Sequence, residues 1–184
     1  LPVVDYTFTN DATCSGTLVQ FTSSASGTGT KTYSWDFGDG TPISTDQNAT
    51  HIFNALGCST STFTVELTVT VNGCSVKKTH VVTVKQKPDI SFRDIDNPFD
   101  PFNNCSNAAS NPVFTVNVGN TSATTCASSY SINWGDGSAV VANATFPATH
   151  TYTAAGAYNM VITALGTNGC SNSVTSVIKN VTNP

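Results

Sequence analysis

One motif occurs twice in this chain and constrains its fold more than any other feature. It reads YSWDFGDG at Tyr33 to Gly40 and YSINWGDG at Tyr130 to Gly137. In each copy large apolar side chains recur at every second residue, which is the period of a β-strand with one buried face. The Gly-Asp-Gly that follows is typical of a turn, because glycine adopts positive φ and aspartate accepts hydrogen bonds from nearby backbone amides. Two copies of one strand and turn predict two domains.

The rest of the chain consists of short alternating segments. Phe63 to Val71 is the clearest of them, with five apolar side chains on one face and Thr or Glu on the other. Asn72-Gly73 then predicts a hairpin turn, and Asn168-Gly169 repeats that signal in the second half. No helical period of useful length occurs. About seven short strands per half predict an all-β protein of two immunoglobulin-like β-sandwiches in tandem.

The domain boundary is expected near Lys85 to Pro88. The predicted domains are residues 1–86 and 87–184, and the second carries an acidic, proline-containing insertion near 93–104.

Composition excludes several classes of function. Charged residues are only 10% of the chain and the net charge is -4, which suits neither nucleic acid nor an anionic membrane as a partner. No apolar run approaches the roughly 20 residues that span a bilayer, so no membrane insertion is expected. The chain opens on Leu1-Pro2 without a leader pattern, and any signal peptide is expected to have been removed already.

Six cysteines in a Thr-, Ser- and Asn-rich chain predict an oxidising, extracellular or cell-surface location. The disulfide candidates are Cys14, Cys58, Cys74, Cys105, Cys126 and Cys170. If the strands alternate up and down, the loops of Cys14 and Cys58 share one end of the first domain, and Cys126 and Cys170 share an end of the second. This favours Cys14 with Cys58 and Cys126 with Cys170, and leaves Cys74 and Cys105 to join neighbouring domains or subunits or to remain thiols. Because those ends face each other in a head-to-tail tandem, Cys14 with Cys170 and Cys58 with Cys126 stays open.

The repeated motif, followed by His-x-aromatic and glycine, resembles the PKD (polycystic kidney disease) domain. The residues that carry the resemblance are Trp35, Asp36, Phe37, Gly38, Asp39, Gly40, His51, Phe53 and Gly57 in the first copy and Trp134, Gly135, Asp136, Gly137 and His150 in the second. The second copy departs from the first at Ile132 and Asn133, but Trp134 is in register with Phe37, so we interpret it as a variant of the motif.

The resemblance implies an extracellular module that binds or spaces and carries no chemistry of its own. It also implies a competing disulfide pattern, Cys14 with Cys74 and Cys105 with Cys170. In this interpretation Asp36, Asp39 and His51 stabilise a turn, since no nucleophile is repeated beside them and an enzyme rarely keeps two copies of half a site.

The predicted function is a non-catalytic, disulfide-braced spacer or interaction unit of a secreted or cell-surface protein. The alternatives are a subunit of an extracellular filament and a carbohydrate- or substrate-binding accessory domain of a secreted hydrolase. The expected partners are neighbouring domains or copies of the chain itself, with a surface polysaccharide or a protein ligand as further candidates.

Three further groups of residues are candidate sites. Asp94, Asp96 and Asp100 in the insertion supply the hard oxygen ligands that Ca²⁺ prefers, and no other cofactor is expected. Asn48, Asn120, Asn143 and Asn180 fit the N-glycosylation acceptor pattern. Phe99 and Phe102 either form a sugar-stacking platform or pin the insertion to its own domain, and we favour the second role.

Overall fold

The chain folds into two compact units, Leu1–Lys87 (unit 1) and Pro88–Pro184 (unit 2). This computed structural model describes residues 2–108, 112–123 and 126–183. Strands supply all the regular secondary structure in those residues, and no helix is present in them. The prediction of an all-β protein with two immunoglobulin-like sandwiches is confirmed.

Unit 1 consists of two sheets. Its strands are β1 (Val4–Phe8), β2 (Thr13–Cys14), β3 (Leu18–Ala25), β4 (Lys31–Asp36), β5 (Thr50–Ile52), β6 (Thr60–Val71) and β7 (Cys74–Lys85). One sheet has the order β1-β3-β5 and the other β2-β7-β6-β4. The long hairpin β6 and β7 turns at Asn72-Gly73, where both residues have positive φ as the sequence signal requires.

Unit 2 repeats this topology. Its strands are β8 (Phe92–Asp94), β9 (Asn103–Ala108), β10 (Phe114–Asn120), β11 (Ala127–Asn133), β12 (Val141–Ala142), β13 (Ala148–Tyr152), β14 (Gly156–Gly166) and β15 (Ser171–Asn183). The sheets have the orders β13-β10-β8 and β12-β11-β14-β15-β9. The extra strand β12 pairs with β11, where unit 1 has only an isolated bridge between Trp35 and Ser44.

Each core lies between its two sheets and follows from strand alternation. In unit 1 the buried set joins Val19 and Phe21 of β3 to Trp35, Leu67 and Val82 of the other sheet, all at most 1% exposed. In unit 2, Val116 and Val118 of β10 face Ile132, Ile162 and Ile178 in the same way, all at 0%. Strands β4 and β11, which contain the start of the repeated motif, therefore bury their apolar faces, and the Gly-Asp-Gly turn begins two residues after each strand ends.

A second shared feature is a parallel pairing between a strand near the start of each unit and the last strand of that unit. In unit 1, Thr13 and Cys14 of β2 pair in parallel with Val84 and Lys85 at the end of β7. In unit 2, Asn103 and Asn104 of β9 pair in parallel with Lys179 and Asn180 of β15. Each closing strand is thus held between an antiparallel hairpin partner and a parallel early strand.

Candidate functional site

The Gly-Asp-Gly turn of unit 1 is held by two side chains that accept hydrogen bonds from backbone amides. Asp36 Oδ1 accepts a hydrogen bond from Gly38 N at 2.9 Å. Asp39 Oδ1 accepts one from the Thr41 hydroxyl at 2.5 Å and another from Thr41 N at 3.2 Å. The second oxygen of Asp39 lies 2.7 Å from His51 Nε2. The turn is thereby tied to β5, which carries His51.

Unit 2 reproduces these contacts with changed side chains. Asn133 Oδ1 accepts from Gly135 N at 3.0 Å, as Asp36 does in unit 1. Asp136 Oδ1 accepts from the Ser138 hydroxyl at 2.6 Å and from Ser138 N at 3.0 Å, and its Oδ2 lies 2.7 Å from His150 Nε2. An uncharged amide therefore replaces the first carboxylate without loss of the turn, because only its acceptor oxygen is used.

Each histidine ring is stacked on the aromatic residue that directly follows strand β4 or β11. The His51 ring lies parallel to Phe37 at 4.0 Å and the His150 ring parallel to Trp134 at 4.6 Å, with interplanar angles of 4° and 8°. A second ring, Phe53 or Tyr152, meets the imidazole edge-on. Trp134 thus occupies the place of Phe37, the register predicted from the sequence.

The first glycine of each turn is required by a close backbone approach. A Cβ on Gly38 would collide with the backbone of Thr64 on β6, and one on Gly135 with that of Asn159 on β14. Both glycines also have positive φ, +73° and +80°. Gly40 and Gly137 share the positive φ but have no atom within 4 Å of such a Cβ. The first glycine brings the turn against the neighbouring strand, and the second only reverses the chain.

The turn carboxylates stay ionised to low pH. The Ser138 hydroxyl, with His150 and the Ser138 amide, holds the pKa of Asp136 well below its usual value, although partial burial opposes the shift. Burial acts most strongly on Asp39 and would raise its pKa, but the bonds from Thr41 and His51 together lower the pKa below its usual value. Both carboxylates therefore act as anionic hydrogen-bond acceptors near neutral pH.

The geometry of these turns is that of a structural clamp. In a Ser-His-Asp triad the hydroxyl bonds to the histidine, which in turn bonds to the carboxylate. Here the hydroxyls of Thr41 and Ser138 bond to the carboxylate itself, at the oxygen that the histidine does not use. The hydroxyl and the histidine are therefore both directed at the carboxylate and not at each other, so the hydroxyls of Thr41 and Ser138 are not bonded to a histidine that could act as their base.

Four of the cysteines form two disulfides. Cys14, Cys58, Cys126 and Cys170 are disulfide-bonded. Gly166 N donates to Cys170 O at 2.7 Å and Thr167 N to Cys126 O at 3.0 Å, so both cysteines flank the same dipeptide. In unit 1, Cys14 lies opposite Lys85 in the parallel pair of strands β2 and β7. The next residue, Gln86, donates its backbone N–H to the carbonyl of Ser59, the residue after Cys58. These neighbourhoods favour Cys14 with Cys58 and Cys126 with Cys170, and the connectivity stays a prediction.

Cys74, one of the disulfide candidates, forms no disulfide bond within this chain and is an exposed free thiol. It begins β7, whereas Cys14 pairs with Lys85 at the other end of that strand. Twelve residues of strand put about 36 Å between those ends, and bonded cysteines need Cα atoms within about 7 Å. The competing pair Cys14 with Cys74 is therefore excluded. The side chain of Cys105 lies outside the described residues.

The acidic insertion is organised around Asp94. This side chain is 2% exposed and accepts hydrogen bonds from the backbone amides of Asp96, Asn97 and Phe102 at 3.1 to 3.4 Å. Asp96 accepts from Asn117 Nδ2 at 3.3 Å, and Asp100 accepts from Asn103 Nδ2. In the described residues no three His, Cys, Asp or Glu side chains are placed to hold a metal ion. Calcium binding by the insertion stays a prediction.

The four acceptor sequons differ in accessibility. Asn48, Asn120 and Asn143 are exposed, and their glycosylation stays a prediction. Asn180 is completely buried: its Nδ2 donates to Pro112 O at 2.5 Å and Ala154 O at 2.8 Å, and its Oδ1 accepts from Asn104 Nδ2 at 3.1 Å. A glycan would need this same nitrogen, so the folded chain has no place for one on Asn180.

The two phenylalanines of the insertion have opposite surroundings. Phe102 is 7% exposed and belongs to the core of unit 2, which agrees with the role of pinning the insertion to its own domain. Phe99 is 98% exposed. The two rings therefore do not form one stacking platform.

The sequence did not reveal a third histidine cluster, in unit 1. The His80 ring packs edge-on against Tyr6 at 4.6 Å, and its Nε2 lies 2.7 Å from Asp5 Oδ1. The Tyr6 hydroxyl donates to Val65 O at 2.6 Å and accepts from His80 N at 2.8 Å, and burial raises the pKa of Tyr6 to about 12. The partners are far apart in sequence, and no motif marks them.

Comparison with known proteins identifies one family. The sequence model of the PKD domain matches residues 1–85 and 98–181. No curated protein sequence matches the chain. Among the described residues no helix has both the length and the apolar character that a membrane crossing requires.

Several solved structures are similar at low scores. The PKD1 domain of Vibrio anguillarum Epp is 24% identical, with 46% of this chain and 94% of that chain covered and a TM-score of 0.38. The fibronectin(III)-like modules of Clostridium thermocellum CbhA are 12% identical, with 98% and 95% covered and a TM-score of 0.35. SGBP-B of Bacteroides ovatus, solved with a mixed-linkage heptasaccharide, is 16% identical, with 97% and 46% covered and a TM-score of 0.35.

Proposed function

Because the chain belongs to the PKD domain family, we propose that it serves as a non-catalytic, force-bearing spacer of an extracellular or cell-surface protein. The family is typically non-catalytic, and the two disulfides fit an extracellular location, since disulfides persist in oxidising compartments.

The observation that carries the proposal is the parallel pairing of an early strand with the closing strand in each unit. Strands β2 and β7 run in the same direction, as do β9 and β15. Tension between the two ends of a unit pulls such strands in opposite directions along their axes. The hydrogen bonds that cross between them are then loaded together, whereas a hairpin pulled at its open end loses them one at a time.

Neighbouring bonds reinforce the pair in each unit. In unit 1, Ala12 N donates to Thr83 O, Ser15 N to Lys85 O, and Thr83 N to Asp11 Oδ1, each at 2.8 Å. In unit 2, Lys179 N donates to Phe102 O at 2.8 Å, and the pairing continues to Asn183. A disulfide between Cys14 and Cys58, the favoured pairing, would also fix β2 to the body of unit 1. These contacts support a module whose unfolding rate under load is low.

Single-molecule stretching of the chain tests the proposal. Unit 1 is pulled once through the two chain ends and once through a Pro42→Cys handle and the C-terminus, in a Cys74→Ser background. Pro42 is exposed and lies C-terminal to β2, so the second direction places no tension on β2 and leaves the parallel β2 and β7 pair out of the loaded path. Unit 2 is in series in both experiments and serves as the internal reference.

We expect unit 1 to unfold at a clearly higher force through its ends than through the Pro42→Cys handle, while the force for unit 2 is unchanged. Equal forces in the two directions would contradict a spacer built on sheared parallel strands. Reduction with dithiothreitol is expected to lengthen the extension released by each unit, because residues enclosed by the disulfides then contribute to it.

Two alternative functions predicted from the sequence have separate tests. A filament subunit predicts ordered polymers in electron micrographs of the purified chain. An accessory domain of a hydrolase predicts retention on insoluble chitin, cellulose or collagen.

A further inference from the structure

Unit 2 contains a surface cleft with a volume of about 550 Å³ that the proposed spacer role does not use. It lies at one open edge of the sandwich. Strand β8 and the end of β10 form one side of the cleft, and the segment that follows β12 forms the other. The residues that form its walls include Arg93, Ile95, Asn120, Tyr130, Thr145 and Phe146.

The cleft is shaped by features specific to the second copy of the repeat. In unit 2, Phe146-Pro147 lies between the sequon Asn143-Ala-Thr145 and His150. In unit 1, His51 directly follows the equivalent sequon, Asn48-Ala-Thr50. The Phe146 ring packs against Phe92 at 5.0 Å and edge-on against Tyr130 at 5.3 Å. Ala144 N donates to Tyr130 O at 2.9 Å and anchors the segment to β11. One wall is therefore a fixed group of aromatic rings.

The opposite wall carries a cation. Arg93 is the only arginine of the chain and lies opposite Gly119 in the β8 and β10 pair. A Cβ on Gly119 would come within 2.8 Å of Ile95, so the glycine makes room for that apolar side chain beside the guanidinium. The next residue, Asp94, is directed to the other face of the strand and is buried against backbone amides, so it does not neutralise Arg93.

Several polar groups of the cleft have no protein partner. Among the described residues, the Arg93 guanidinium forms no hydrogen bond and no ion pair, and the side-chain hydroxyls of Tyr130 and Thr145 form no hydrogen bond. Asn120 uses its Oδ1 to accept from Ser122 N at 2.9 Å, which leaves its Nδ2 as a donor. An arginine, two hydroxyls and an amide thus line an aromatic surface.

We propose that this cleft binds a carboxylated saccharide, such as a uronic-acid residue of an anionic polysaccharide. A guanidinium presents two parallel N–H donors that match a carboxylate, and this geometry discriminates a carboxylate from a hydroxyl. The rings of Tyr130 and Phe146 offer an apolar surface to the C–H face of a sugar, and the hydroxyls and amide pair with its ring substituents. The net charge of the whole chain is -4 and does not attract an anion, so the attraction to the carboxylate comes locally from Arg93.

Titration calorimetry with an oligomer of galacturonic acid tests this site. The full chain is produced in a bacterial host that leaves Asn120 without a glycan. We expect saturable binding of the oligomer, and no binding of its methyl ester, which keeps the sugar rings but removes the charges. Chemical shift changes are expected at Arg93, Asn120 and Thr145. Equal binding of acid and ester, or no binding of the acid at millimolar concentration, would overturn the proposal.

Three variants locate the contact. Arg93→Gln is expected to weaken binding at least about tenfold, the usual loss for a hydrogen bond to a charged group, and Tyr130→Phe to weaken it several-fold without removing a ring. Lys179→Gln removes an exposed positive charge elsewhere in unit 2 and is expected to leave affinity unchanged. Equal loss in Lys179→Gln and Arg93→Gln would show general charge attraction and refute the site.

An oligoglutamate peptide of equal charge distinguishes the class of ligand. If the peptide binds as tightly as the sugar with the same dependence on Arg93, the cleft recognises acidic peptides and the saccharide assignment fails. The inference is independent of the spacer role, since binding and stretching are measured separately and either result can fail without the other.

Discussion

The two glycines of each Gly-Asp-Gly turn form a matched pair of positions for testing how the turn is held. Gly135→Ala and Gly137→Ala add the same methyl group at nearly the same φ, +80° and +87°. Only the surroundings differ. A Cβ at residue 135 would lie 2.7 Å from the carbonyl carbon of Asn159, 2.9 Å from its amide nitrogen and closer still to its oxygen, whereas at residue 137 it would meet nothing within 4 Å.

The magnitudes follow from this difference. Both variants carry the cost of about 1 to 2 kcal/mol for a left-handed conformation with a Cβ. Both also gain about 0.4 to 1 kcal/mol because alanine restricts the unfolded chain. Gly135→Ala additionally forces the turn away from β14, which by analogy with overpacked cores costs about 1 to 3 kcal/mol more. We therefore expect Gly137→Ala to be mildly destabilising and Gly135→Ala to be clearly worse.

Calorimetric melting of the full chain measures the effect. In a domain of this size a change of 1 kcal/mol moves the melting temperature by about 4 to 8 °C, so the two variants separate by at least that amount. Gly38→Ala and Gly40→Ala repeat the test in unit 1, where the obstructing backbone is that of Thr64. Because each pair affects a single unit, the transition that moves also identifies that unit.

Equal melting temperatures for Gly135→Ala and Gly137→Ala would refute the reasoning, since the positive φ alone would then account for both glycines. A cost that appears in unit 2 but not in unit 1 would show that the close approach to the neighbouring strand is not the shared feature of the repeat.

Three further predictions concern the site and its supports. The pKa of Asp136 in the folded chain is lowered from the ordinary 3.8, so the contribution of Asp136 to stability is complete above about pH 4 and is lost as the pH falls towards the folded pKa. In Asp136→Asn the unfolding free energy of unit 2 should therefore fall less steeply as the pH is lowered below about 4. Among the cysteines whose side chains are described, only Cys74 should react with iodoacetamide in the native oxidised chain, and peptide mapping should then yield Cys14 joined to Cys58 and Cys126 joined to Cys170; opening either bond is expected to cost about 2 to 4 kcal/mol. Phe102→Ala should destabilise unit 2 by about 3 to 5 kcal/mol and Phe99→Ala by less than about 0.5 kcal/mol in urea unfolding, because only the first ring is buried; comparable losses would contradict the assignment of Phe102 to the core.

Local periodicity was sufficient to predict the fold class and the repeated turn. Strand alternation decides which side chains of Tyr33 to Phe37 and Tyr130 to Trp134 face the core, and the chemistry of Gly-Asp-Gly decides where the chain reverses. Both signals depend on only a few neighbouring residues, so they can be recognised from the sequence alone. The repeat of the same signals in the same order indicated the family, which the match to the PKD domain bears out.

Contacts between residues distant in sequence required the tertiary structure. The pair of Asp5 and His80, the burial of Asn180 and the position of Cys74 away from Cys14 all depend on strand order and register, which periodicity does not fix. The cleft is the strongest case: Arg93, Tyr130 and Phe146 lie on three separate segments, and only Tyr130 belongs to the repeated motif. The sequence alone determined which surfaces each strand buries, and the packing of one sheet edge against another decided which polar groups remain available to bind.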